Sequence, residues 1–144
     1  QTCALPISVT RLIRRSGGAA LFIDYGHEGG LGDTLQAVRN HGFAPVLSSV
    51  GEADLTSHVD FAALSMSARA QGACVHGPVT QGAFLRNLGI EQRALSLIKS
   101  AGPQKSGAIK AALDRLAGSD TGQMGGLFMA LAVSSGAEIR AEGF

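Results

Sequence analysis

Apolar residues recur along this chain in two rhythms, short unbroken runs and helical stripes, and glycines punctuate the changes between them. After Gly17-Gly18, the residues Ala19–Ile23 form a continuous apolar run that closes on Asp24-Tyr25-Gly26. Five uninterrupted apolar positions predict a strand buried on both faces, as in a parallel sheet covered by helices. Ala73–Val79, closed by a Gly-Pro pair within it, and Leu127–Val133, introduced by Gly125-Gly126, predict two more strands. Gly26–Asp33 is a glycine-dense loop at the carboxyl end of the first strand, the edge at which open α/β sheets bind ligands. Asp33–Arg39 reads as a short helical or extended link, and Phe43–Leu47 as a short strand-like segment.

Helical spacing takes over further along. Asp54–Phe61 predicts a helix start, with Ser57 and Asp60 placed as a capping box and the acids suited to the positive end of the helix dipole. Val59, Ala62, Ala63, Met66 and Ala70 keep the stripe until Gly72 stops it. Ala83–Ile98 predicts an amphipathic helix broken or bent near Gly89, and Ser106–Leu116 another, with Ile109, Ala112, Leu113 and Leu116 on one face. The order strand, loop, helix, strand, two helices, strand is that of an α/β fold, and of only half a sheet. Three strands alone would leave an apolar edge unpaired.

Composition narrows the function classes. With 144 residues, 45% apolar and 16% charged, the chain has material for a core and is not disordered by composition. Twelve Lys+Arg against eleven Asp+Glu give +1, which argues against a nucleic-acid stripe and against a polybasic membrane anchor. No apolar stretch approaches the roughly 18 residues of a membrane span. Cys3 and Cys74 form no Cys-x-x-Cys pair, so a secreted disulfide scaffold is excluded. Glycine, at 20 residues, is about twice its usual share. The opening string Gln1–Ser8 is what a common short-read sequencing adapter encodes. Residues 1–8 are therefore expected to be an assembly artefact on a 5′-truncated gene piece, residues 9–135 part of one domain, and residues 136–144 a polar tail.

Five ordered blocks carry a family resemblance. They are Ala20–His27, Gly32–Arg39, Gly51–Phe61, Gly77–Leu85 with Leu88-Gly89-Ile90, and Gln123-Met124-Gly125 before Leu127-Phe128. Together they resemble MidA-like proteins, which are class I S-adenosylmethionine-dependent methyltransferases, over nearly the whole chain from Gly17 to Ser135. The resemblance implies the C-terminal part of a Rossmann-like class I methyltransferase sheet with helices on its faces, including that fold's antiparallel return strand. It implies S-adenosylmethionine as cofactor and, because mitochondrial members act as protein arginine methyltransferases in complex I assembly, a protein substrate. The loop that grips the cofactor lies upstream in that family, so the cofactor-binding residues are expected outside this chain, which alone is not expected to bind it or turn over. The insert Asp120-Thr121-Gly122 and Met129 depart from the family pattern.

Methyl transfer from a sulfonium needs positioning, an apolar pocket and a holder for the cationic acceptor. Asp24 and Tyr25, a carboxylate and an aromatic wall at a strand's carboxyl end, are the expected catalytic pair. His27, His58, Asp60, Gln81 and Phe84 are the expected substrate-binding residues, with Glu28 and Asp54 beside them. The spacing of Asp54, His58 and Asp60 does not suit a metal, and none is expected. His41 and His76 have no visible partners, and Cys74 reads as a small buried hydrophobe. No membrane or nucleic-acid partner is expected, a homo-oligomer is allowed, and the compartment is cytoplasmic for a bacterial protein and mitochondrial for a eukaryotic one. The alternative is a non-catalytic assembly or scaffolding factor on the same fold. A hydrolase lacks its Gly-x-Ser-x-Gly elbow.

Overall fold

The computed structural model describes residues 4–30, 32–48, 51–136 and 140–144. It begins with a helix, α1 (Ala4–Ser16), which crosses the boundary expected after Ser8 and buries Thr10 and Ile13. The apolar run after Gly18 extends beyond Ile23 into a nine-residue strand, β1 (Ala19–His27), so that Asp24, Tyr25 and His27 all lie on it.

The next stretch departs most from expectation. β2 (Gln36–Arg39), β3 (Gly42–Ala44) and β4 (Asp54–Thr56) form a separate three-stranded antiparallel sheet in the order β3-β2-β4. Asp54–Thr56 is thus strand, not the start of a helix. A second short strand, β5 (Val59–Asp60), pairs parallel to the end of β1 with Gly26 opposite Val59 and His27 opposite Asp60. Backbone pairing to two earlier strands outcompetes helix formation here. Helix α2 (Phe61–Ala70) begins only afterwards, and its cap is Asp60 itself, whose carboxylate accepts the Ala63 N–H at 3.0 Å, rather than a Ser57–Asp60 box.

From there the pattern holds. β6 (Cys74–Thr80) leads into α3 (Gln81–Asn87) and α4 (Ile90–Ala101), which are separated at Gly89 with φ +82°. A left-handed conformation suits glycine, so the expected break falls there. α5 (Pro103–Ala117) carries Pro at its first turn and packs along α4, with Leu97, Ile109, Leu113 and Leu116 lining the groove between them. A short turn, α6 (Met124–Leu127), feeds β7 (Phe128–Ser134).

The main sheet has the order β5-β1-β7-β6, with β7 antiparallel to both of its neighbours. It is four-stranded, one more than the apolar runs foretell. Its two faces are unequal. On one, Phe61, Leu64 and Ala68 of α2 and Ile13 of α1 bury Met129, Leu131 and Val133, with Ala20 and Phe22 of β1 packed against them. On the other, Leu21, Ile23 and Tyr25 remain 50%, 43% and 41% exposed. The expectation that β1 is buried on both faces is therefore corrected: within this chain, helices α1 and α2 cover one side, and only part of the other is covered. That partial cover comes from α3 and the C-terminal residues. Phe144 packs on Phe84 with ring centroids 5.1 Å apart, and Asn87 donates to the Gly143 carbonyl at 3.1 Å. The segment expected as a polar tail thus ends in a docked aromatic, because Phe144 finds an apolar seat on Phe84.

Gly26 shows how tightly β1 is held at its carboxyl end. A Cβ there would strike the Phe61 ring and lie 2.6 Å from the Val59 carbonyl oxygen. Only glycine lets β5 and the first residue of α2 approach the strand this closely.

Candidate functional site

Strand alternation sends neighbouring residues of β1 to opposite faces. Tyr25 shares its face with Leu21 and Ile23, directly across from Phe128 of β7, and the Tyr25 and Phe128 rings lie 4.2 Å apart at 38°. Asp24 pairs with Met129 and faces the other way; its carboxylate accepts the N–H of Tyr25 at 2.8 Å and is exposed. The two residues expected as a catalytic pair are therefore separated by the sheet, and only Tyr25 reaches the cavity described below.

His58 lies in the link between β4 and β5. Its backbone N–H donates to the Thr34 hydroxyl at 3.1 Å, a tether across 24 positions of sequence. The His58 ring lies nearly parallel to that of Tyr25, centroids 6.5 Å apart and planes 17° from parallel, and 6.5 Å from the His27 ring at 42°. Tyr25, His58 and His27 thus form one cluster. His27 Nδ1 is buried and has no hydrogen-bond partner among the described residues.

The opposite wall comes from the small sheet. Gln36 pairs with Thr56 and Val38 with Phe43, so these four side chains share one face. With Tyr25, His58 and Leu127 they line a cavity of about 420 Å³ at the carboxyl end of β1. Its lining has aromatic and aliphatic walls, an amide and a hydroxyl and, among the described residues, no carboxylate or fixed cation. That volume lies within the range of small-ligand sites, and strand carboxyl ends are where open α/β sheets bind ligands.

The remaining expected residues lie elsewhere or serve other purposes. Asp60 is spent on capping α2. Gln81 is buried and donates its amide to the Leu116 carbonyl at 2.8 Å, while Arg86 donates to the Ala117 carbonyl at 2.6 Å. Together they satisfy the carbonyls that the end of α5 leaves open. Phe84 lines a second cavity of about 260 Å³ with His76, Ser134 and Phe144. Glu28 and Asp54 are exposed. In the second cavity, His76 Nε2 is 3.1 Å from the Ser134 hydroxyl, which itself donates to the Gly136 carbonyl at 3.0 Å. The serine proton is thus committed to a carbonyl, His76 must be the donor to Ser134, and the pair is not an activated nucleophile. Among the described residues no three His, Cys, Asp or Glu side chains are grouped to hold a metal ion.

Sequence reasoning missed Thr34, Gln36, Val38, Phe43 and Thr56. The signal was present: Thr34, Gln36 and Val38 alternate with period two, the signature of one strand face.

A nucleotide-bearing cofactor needs an acceptor for its ribose hydroxyls and a backbone cradle, ordinarily a glycine turn opening onto a helix. Here the glycine loop after β1 runs on to β2 instead of a helix, and among the described residues the cavity offers no carboxylate. The described residues do not by themselves form a holder for such a group.

Comparison with known proteins agrees with this architecture. Residues 4–79 match the family described as "Putative S-adenosyl-L-methionine-dependent methyltransferase". The zebrafish (Danio rerio) mitochondrial protein arginine methyltransferase NDUFAF7 is 45% identical over 91 residues, 63% of this chain and 21% of that protein. Its Drosophila melanogaster homolog is 40% identical over 126 residues, 86% of this chain and 28% of that protein. The chain thus spans about a fifth to just over a quarter of the length of these relatives. A crystal structure of a Burkholderia thailandensis superfamily protein bound to S-adenosyl-homocysteine superimposes with TM-score 0.76 at 27% identity, over 96% of this chain and 38% of that one. A native structure from the same organism gives 0.80 at 28% identity, over 96% and 39%. With more than half its residues matched by the family model, this chain belongs to the S-adenosyl-L-methionine-dependent methyltransferase family that the model describes.

Proposed function

We propose that the protein containing this chain transfers a methyl group from S-adenosylmethionine to an arginine side chain of a protein, and that this chain supplies the acceptor side of the active site. The observation that carries the reading is the cavity at the carboxyl end of β1, walled by Tyr25 and His58, in a chain 40–45% identical to the arginine methyltransferases named above. The cofactor supplies an electrophilic methyl group. Tyr25 and His58 bound the acceptor, Val38, Phe43 and Leu127 exclude water, and Gln36 and Thr56 offer hydrogen-bond acceptors. The His27 ring lies 6.5 Å from that of His58, and Thr34 fixes the backbone that carries His58. Asp24, on the far face, has its carboxylate engaged by the Tyr25 N–H and is not an acceptor ligand in this reading.

The cofactor side of the site lies on the rest of the protein, so the 144-residue chain alone does not turn over. The test is methyl transfer from labelled S-adenosylmethionine into cell protein by the intact gene product, followed by mass spectrometry of the modified residues. Methylarginine formed by the intact protein, and none by the isolated chain, is the expected result. Intact protein that binds partners but leaves no methyl mark would instead favour a scaffolding role on the same fold. Tight binding of S-adenosylmethionine to the isolated chain in calorimetry would overturn the division of labour.

A further inference from the structure

We infer that the Tyr25 and His58 rings form a slot for a flat cation, and that the cavity selects a guanidinium over an ammonium. The inference rests on the reading of this cavity as the acceptor site and specifies how the acceptor is recognised. The two ring planes are close to parallel, 17° apart, with centroids separated by 6.5 Å. A planar group between them would lie roughly 3 Å from each centroid, well inside the ~6 Å over which an aromatic ring attracts a cation.

Both walls are braced before any ligand arrives. Tyr25 leans on Phe128 at 4.2 Å, and His58 is tethered through its backbone to Thr34 at 3.1 Å. A preformed slot forfeits little ordering entropy on binding.

The edges of the slot explain the preference. Among the described residues no carboxylate lines the cavity, so on this wall a compact, strongly hydrated ammonium would lose its water without gaining a counter-charge. A guanidinium is more weakly hydrated, stacks by its faces, and carries its N–H donors around its rim. At that rim are Gln36 and Thr56, whose side chains make no hydrogen bond among the described residues and can accept. Recognition therefore works through ring faces and neutral acceptors, in place of the carboxylate pairing expected from Asp24.

Ligand-observed NMR titration of the intact protein tests this without requiring methyl transfer. The probes are N-acetyl-arginine methylamide and N-acetyl-lysine methylamide at equal ionic strength. The arginine probe is expected to bind at least about tenfold more tightly, and Tyr25→Phe, which keeps the ring, to retain that margin. Tyr25→Leu and, independently, His58→Leu are expected to remove it; having two wall variants keeps the test decisive if one of them fails to fold. Equal affinity for the two probes, no binding of either, or an arginine preference undiminished in the folded wall variant would overturn the slot. Arginine binding in a protein that leaves no methyl mark would sink the methyltransferase reading and leave the slot standing. Protein methylation with no guanidinium preference would do the reverse.

Discussion

The two faces of β1 carry similar apolar residues and meet different fates. Ala20 and Phe22 pack against a core closed by α1 and α2, whereas Leu21, Ile23 and Tyr25, one position out of phase, stay 41–50% exposed. The run Ala19–Ile23 is uniformly apolar, so hydrophobicity alone assigns no face; what lies over each side does. The covered face supplies stability. The open face, where it meets the small sheet at Tyr25, supplies a cavity. Adjacent residues in the same strand thus belong to different parts of the protein's business, and substitutions should separate them.

The largest effect is expected at the seam of the covered face. Phe61 is fully buried in the core cluster and lies against Gly26 of β1, so Phe61→Ala should cost about 3–5 kcal/mol in urea unfolding. Next is Gly26→Ala, which drives a methyl group into the Phe61 ring and the Val59 carbonyl and should cost about 1–3 kcal/mol in the same measurement. Asp60→Ala removes the α2 cap and should cost about 1 kcal/mol, with Asp60→Asn retaining most of it. The smallest cost is expected on the open face: Ile23→Ala in the isolated chain, about 1 kcal/mol or less, because the side chain is already 43% exposed. An Ile23→Ala cost matching that of Phe61→Ala would erase the distinction between the faces.

Much of this was legible from local pattern. The break at Gly89 could be read because a glycine interrupts a helical stripe, and the structure places it at φ +82°. β7 and α5 were legible from an apolar run and a period-3.6 stripe. The small sheet was not. Its strands have three or four residues, its inner position Ala37 is small, and its pairing joins Gln36 to Thr56 across a long loop. A window of local sequence has no access to such a partner, so Asp54–Phe61 reads as a helix start from its capping residues alone. The candidate site was half legible for the same reason. Tyr25, His27 and His58 could be chosen by chemistry and position in the family blocks. The wall of Gln36, Val38, Phe43 and Thr56 exists only once the hairpin closes. Gln81 and Phe84 were attractive by residue type, yet the structure uses them to finish α5 and to seat Phe144.

The sharpest test exploits the neighbours Asp24 and Tyr25. In the intact protein, kcat/KM for methylation of an arginine peptide would be compared among wild type, Tyr25→Leu and Asp24→Asn. Removing the ring should lower kcat/KM by about tenfold or more, the equivalent of a desolvated cation–π contact, while Asp24→Asn should stay within about twofold. The opposite ranking, with Asp24→Asn crippled and Tyr25→Leu near wild type, would put the acceptor on the other face of β1 and contradict the account.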